Sequence, residues 1–133
     1  EDLCCAALNV TKKAYCVYSG FAVGAAVLMN NGEVVCGTNQ ENVAYPSGLC
    51  AERTALFYAC STNPEAGIKA IAIAARDHGV EVEDNVTPCG ACRQVMVEIV
   101  QRYKADFDVI MLGRKRTIMI KASQLLPFSF AMS

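Results

Sequence analysis

Six consecutive apolar residues, "AIAIAA" at Ala70–Ala75, constrain the fold more than any other feature. The run has strand length and no polar face, so it predicts a strand buried on both sides. Such a strand needs cover above and below, and the flanking patterns supply it. Leu3–Ala14 reads as a first helix. Val23–Met29 and Val34–Gly37 are apolar runs joined by Asn30, Asn31 and Gly32, a hairpin signal. Pro46, Ser47 and Gly48 deliver the chain to a helix from Leu49 to Cys60, where Ala51, Ala55, Leu56 and Ala59 recur at helical spacing. Val80–Thr87 is a polar loop. Gly90–Tyr103 predicts a second long helix, with Ala91, Val95, Ile99 and Tyr103 four apart. Val109–Leu112 and Thr117–Ile120 are two more strands around a charged turn. The order α-β-β-α-β-α-β-β predicts one α/β domain over residues 1–133, a three-layer α/β/α arrangement with a mixed sheet of about five strands.

A chain of 133 residues is long enough to bury a real core. No apolar run reaches the roughly 18 residues of a membrane span, so no membrane partner is expected. Net charge is −1, and "RKR" at Arg114–Arg116 is the one basic cluster. It falls at a turn, and no nucleic-acid partner is expected. The chain opens without a leader pattern. Eight cysteines invite a disulfide reading, but nothing secretory accompanies them. Cys4, Cys5, Cys16, Cys36 and Cys60 sit among ordinary core residues and read as small, reduced hydrophobes. A cytoplasmic location follows.

The other three cysteines are different. In "LCAERTALFYAC" a thiol and a carboxylate, Cys50 and Glu52, stand two apart where a helix starts. In "PCGACRQ" Cys89 and Cys92 lie three apart, on one side of a helical turn. A lone CxxC has three readings: a redox dithiol, half of a structural zinc site, or accident. The redox reading wants a thioredoxin-like βαβ setting, which is missing. The structural reading wants four ligands, and the chain's one histidine, His78, reads as a solvated loop residue. Cys50 is the obvious third ligand. Three protein ligands with an open fourth position is the arrangement of a catalytic zinc. Both helix N-termini would then face the metal and favour thiolate over thiol. Glu52 would not bind the metal. A carboxylate beside the open position is costly unless it has proton work to do.

"CAER" followed by "PCGACRQ" resembles the zinc-dependent cytidine deaminases, in the three-cysteine form of the small homotetrameric members. "YSGFAVGAA" (Tyr18–Ala26) resembles the family's first-strand start, "NQEN" (Asn39–Asn42) its ribose-binding loop, and "LLPFSF" (Leu125–Phe130) its C-terminal motif. Cys16-Val17 departs from the Ala-Pro the family often has there. The resemblance implies deamination of cytidine and deoxycytidine, one Zn²⁺ per chain, a nucleoside substrate, and a homotetramer with shared active sites. Cys50, Cys89 and Cys92 would bind zinc and Glu52 would shuttle protons, first from water to N3 of the ring, then to the departing amino group. Asn39 and Glu41 would bind the ribose, Phe21 would pack on the pyrimidine, and the backbone at Ala51 and Cys89 would read the base edge. Phe130 would close the pocket. Arg53 and Arg93 would draw charge off the sulfurs. On the residues alone Asn39 and Glu41 read equally as a polar loop end, Phe21 as a core aromatic and Arg53 as an exposed helix arginine.

Two rivals stay open from sequence. One is a deaminase of the same fold acting on a nucleoside antibiotic or on nucleic acid, which for the latter wants basic, aromatic surface. The other is a non-catalytic zinc or redox module, which has no use for Glu52. The tail adds an expectation of its own. Phe128, Phe130 and Met132 alternate with small residues, and in an extended segment they would form one apolar ridge for a neighbouring subunit to cover.

Overall fold

A computed structural model describes residues 2–131 of the chain. Its elements are α1 (Asp2–Val10), β1 (Phe21–Met29), β2 (Val34–Thr38), α2 (Ala51–Thr62), β3 (Ile68–Asp77), β4 (Val80–Glu81), α3 (Gly90–Tyr103), β5 (Asp108–Met111) and β6 (Ile118–Lys121), with short 3-10 turns at Thr11–Lys13, Tyr45–Ser47 and Ala122–Leu125. The strands form one mixed sheet in the order β2-β1-β3-β5-β6, with β4 paired to the end of β3. Only the β3–β5 pair is parallel, and α3 makes the crossover that a parallel pair needs.

The "AIAIAA" strand runs through the middle of the sheet, and its alternation sorts the two faces. Ile71 and Ile73 point, with Val27, Val109 and Met111, into a large core closed by Ala55, Leu56 and Ala59 of α2 and Met96 and Ile99 of α3. Burying each such aliphatic side chain is worth roughly 1.5–3 kcal/mol. Ala72 and Ala74 point the other way, with Ala26, into a thin second core under α1. Small side chains there let α1 sit almost on the backbone. A Cβ at Gly24 would lie 2.2 Å from the Ala7 carbonyl oxygen. Helices on both faces of one sheet make the three expected layers.

Three departures from expectation go beyond a shift of a few residues at an element's end. The first helix stops at Val10 rather than Ala14. The Thr11 hydroxyl donates to the Leu8 carbonyl (2.6 Å) and accepts from Arg76 Nε (3.1 Å), a side-chain bond that competes with continued helix. The Val80–Thr87 loop begins with a strand, β4. His78 (φ 51°) and Gly79 (φ 90°) are both left-handed, the pair of conformations that a tight two-residue hairpin demands. The tail does not run extended. Phe128 has φ 53°, which turns the chain and breaks the ridge at its first member. Phe128 and Phe130 are exposed, and Met132 lies outside the described residues. Of the five cysteines expected in the core, Cys5 and Cys36 are exposed. Cys36 is on β2, the strand at the sheet's edge.

Candidate active site

The sheet's architecture brings two helix starts to one place. Cys50 is the capping residue of α2 and Cys89 that of α3, both with extended backbone (ψ 155° and 168°). Their carbonyls accept the first helical hydrogen bonds, from Thr54 (3.0 Å) and Arg93 (2.9 Å). Cys92 follows in the first turn of α3. Cys50 Sγ is 3.4 Å from Cys89 Sγ, which is 3.4 Å from Cys92 Sγ, and all three sulfurs lie within 4.8 Å of one another. Among the described residues no other Cys, His, Asp and Glu side chains gather closely enough to share a metal.

The sulfurs fit zinc. With Zn–S bonds of about 2.3 Å, tetrahedral geometry separates sulfurs by about 3.8 Å, inside the observed range. The chemistry fits as well, because zinc takes thiolates. The Cys50 thiol is pulled down to about 5, first by a hydrogen bond from Cys92 and then, against burial, by Arg53. Cys92 is pushed up by the same shared proton and by its own burial. Three protein sulfurs leave a tetrahedral metal one open position.

Glu52 stands beside this cluster in the first turn of α2, only 4% exposed. Burial raises its carboxyl to about 7, and the nearby Cys50 charge adds to the shift. A carboxyl poised near neutrality can accept a proton and return it. Arg53 Nη2 donates to Cys50 Sγ (3.4 Å), while its Nε is buried without a hydrogen-bond partner. Ala51 is fully buried between them.

In front of Cys50 and Arg53 lies an open cavity of about 490 Å³ whose walls include Ser19, Asn39, Glu41 and Tyr45. The size suits a small ligand. Asn39 is tied into β1: its Oδ1 accepts from Val23 N–H (2.9 Å) and its Nδ2 donates to the Phe21 carbonyl (2.8 Å). Glu41 accepts from the Tyr18 and Ser19 backbone N–H groups (3.0 and 3.2 Å) and from the Ser19 hydroxyl. Phe21 is not in this cavity. It lines a neighbouring one with Val86, Thr87 and Arg114. Phe130 is 76% exposed, and its carbonyl accepts from Gln94 Nε2 (3.0 Å).

Arg93 Nε donates to the Pro88 carbonyl (2.8 Å) and its Nη1 to the Leu125 carbonyl (3.1 Å). It clamps the loop before Cys89 to the C-terminal segment and leaves the sulfur contact to Arg53. Ser19 and Gln94 were missed by sequence reasoning. Both lie inside quoted motifs, but their partners, Glu41 and Phe130, are 22 and 36 residues away.

Three clustered thiols, with Cys50 on the wall of a cavity and the buried Glu52 carboxyl on the same helix, define an α/β protein with a candidate metal site. Residues 1–104 match the family model described as the cytidine and deoxycytidylate deaminase zinc-binding region. The chain is 43% identical over 125 residues to the cytidine deaminase of Halalkalibacterium halodurans, covering 93% of this chain and 88% of that protein. It is 38% identical over 128 residues to a probable cytidine deaminase of Dictyostelium discoideum, covering 95% and 80%. The crystal structure of cytidine deaminase from Burkholderia pseudomallei superposes with a TM-score of 0.83 at 39% identity over 97% of each chain. That from Mycobacterium tuberculosis does so with a TM-score of 0.75 at 34% identity, over 98% and 96%. The chain belongs to the zinc-dependent cytidine and deoxycytidylate deaminase family.

Proposed function

We propose that this chain hydrolyses cytidine and deoxycytidine to uridine and deoxyuridine with release of ammonia. The observation that carries the proposal is Glu52, a carboxyl buried beside three clustered thiols. A purely structural zinc site would not retain so costly a group. When bound, zinc supplies Lewis acidity at the sulfurs and lowers the pKa of water there to roughly 7. Glu52 takes one proton from the attacking water and delivers it to N3 of the ring, which makes C4 more electrophilic as hydroxide adds. Glu52 then carries the second proton of that water to the amino group. The C4–N bond breaks, ammonia leaves, and C4 becomes the carbonyl carbon.

The other residues bind and orient. Arg53 draws charge from Cys50 and so offsets the excess negative charge of three thiolates. Asn39 and Glu41 hold the sugar, and the backbone at Ala51 and Cys89 reads the base edge. Phe21, on the wall of the second cavity, packs on the ring. Phe130 closes the pocket from a neighbouring subunit in a homotetramer, a reading supported by its exposure. The free thiols of Cys5, Cys16, Cys36 and Cys60 support a cytoplasmic location, and no helix among the described residues is long and apolar enough to cross a membrane. The 133 residues act as one catalytic domain. Metal analysis together with loss of the cytidine absorbance band tests the proposal. It expects one zinc per chain and release of one ammonia for each uridine formed. Zinc bound with no turnover of either nucleoside would overturn it.

A further inference from the structure

Ser19 sits in the turn ahead of β1, on the wall of the cavity in front of Cys50. Its hydroxyl accepts from the Phe21 N–H (3.0 Å) and donates to Glu41 Oε2. The Phe21 N–H occupies the acceptor side of that hydroxyl, so its one proton is aimed at the carboxylate. On the other carboxylate oxygen, Oε1 accepts from the Tyr18 N–H (3.0 Å) and the Ser19 N–H (3.2 Å). Three donors therefore converge on Glu41. They keep it ionised, with the Ser19 hydroxyl foremost in holding its carboxyl below the usual range. A carboxylate has about four lone-pair positions. Three are filled from the turn, and one acceptor position on Glu41 remains for a ligand.

The turn that presents Ser19 is also held by bonds that do not use its hydroxyl. Gly20 N–H donates to the Cys16 carbonyl (2.8 Å), His78 N–H to the Gly20 carbonyl (2.8 Å), and Glu41 N–H to the Tyr15 carbonyl (2.9 Å). These bonds hold the main chain around Ser19 alongside the Phe21 N–H bond to its hydroxyl, and the proton of that hydroxyl is directed at Glu41.

We propose that Ser19 is a positioning residue for the nucleoside reaction proposed above: its hydroxyl, fixed between the Phe21 N–H and the Glu41 carboxylate, holds Glu41 as the acceptor for a single sugar hydroxyl. The inference rests on the nucleoside reading for its ligand and on the hydrogen-bond geometry for its residue. Because Glu41 acts as an acceptor only, the group it selects must donate, which a ribose hydroxyl does and a sugar hydrogen does not. The Ser19 hydroxyl is bonded to Glu41 and to the Phe21 N–H, so its effect falls on binding rather than on the chemical step.

The test uses the zinc-loaded full chain with Ser19→Ala and Ser19→Thr, on cytidine, 2′-deoxycytidine and 3′-deoxycytidine. Ser19→Ala is expected to raise KM for cytidine about tenfold with kcat nearly unchanged, the size of effect expected for one hydrogen bond to a charged group. Ser19→Thr, which keeps the hydroxyl, restores it. The substrate lacking the hydroxyl that Glu41 receives should lose its sensitivity to Ser19→Ala, while the other deoxynucleoside keeps it. An equal loss on all three substrates, or a loss confined to kcat, overturns the proposal, because a merely structural serine would behave that way. Carboxyl ¹³C titration of Glu41 separates this inference from the function it builds on. Its midpoint should rise in Ser19→Ala and return in Ser19→Thr. A midpoint that does not move overturns the positioning role. A wild-type chain that turns over none of the three nucleosides overturns the deaminase reading, and with it the sugar-binding half of the proposal.

Discussion

Gly37→Ala should damage the active site from outside it. Gly37 is buried in β2, paired with Ala25 of β1, and it faces α2. A Cβ there would lie 2.6 Å from the Ala55 backbone nitrogen, 3.0 Å from its Cα and 3.1 Å from its Cβ. None of these atoms can rotate out of the way, since two are backbone and the third is fixed to it. Ordinary contact begins near 3.4 Å, so α2 must retreat by the better part of an ångström. The same helix carries Cys50 at its cap and Glu52 in its first turn, whereas Cys89 and Cys92 ride on α3. Retreat therefore pulls one proposed metal ligand and the proposed proton carrier away from the other two sulfurs. Overpacking of this kind costs about 1–3 kcal/mol, which in a domain of this size lowers Tm by roughly 3–15 °C. A misplacement of about 1 Å near the reacting atoms can cost about a hundredfold in rate. The measurements are thermal unfolding of zinc-loaded protein at fixed concentration, zinc content, and kcat/KM from the cytidine absorbance band. A variant with wild-type Tm, full zinc and undiminished kcat/KM would refute the claim that β2 sets the position of α2.

Glu52→Gln should keep its zinc and its Tm while losing nearly all turnover; if zinc leaves with the activity, Glu52 is structural. Cys50→Ala, Cys89→Ala and Cys92→Ala should each lose most of the metal, whereas Cys4→Ala, Cys5→Ala, Cys36→Ala and Cys60→Ala should hold one zinc per chain. Full metal content in any of the first three would break the three-sulfur assignment. Arg53→Ala should bind zinc but turn over slowly, and an unchanged kcat would return the residue to a packing role. In sedimentation the native chain should run at four times its 14.3 kDa, and a monomer with full activity would end the shared-site reading.

How much of this was legible in the sequence depends on the range of the interactions that fix each feature. The central strand was legible because burial on both faces leaves no polar residue in six positions. The structure adds which face each residue takes: Ile71 and Ile73 enter the thick core, and Ala72 and Ala74 line the face that admits α1 at backbone distance. The β3–β4 hairpin was not legible. Its turn places a histidine at φ 51°, where asparagine or aspartate is the usual signal. The early end of α1 was hidden as well, since it turns on Thr11 meeting Arg76, 65 residues away.

The site divides along the same line. Cys50, Glu52, Cys89 and Cys92 announce themselves because each group lies within one turn of a helix start, and local spacing determines which side of the turn it faces. The two arginines show where spacing stops. Each directly follows a site residue, Glu52 or Cys92, and each looked suited to relieve the sulfurs. Arg53 lies three residues past Cys50, so one helical turn returns its guanidinium to that sulfur. Arg93 lies four past Cys89, but the carbonyls of Pro88 and Leu125 are closer claims on its donors, and the second of these comes from the far end of the chain. Ser19 carries the point furthest. Its proposed effect on binding passes through Glu41, and only folding brings the turn before β1 against the segment after β2. A residue that acts through another by a tertiary hydrogen bond leaves no period and no spacing behind. It becomes visible only when each donor near a functional carboxylate is traced to the atom that holds it in place.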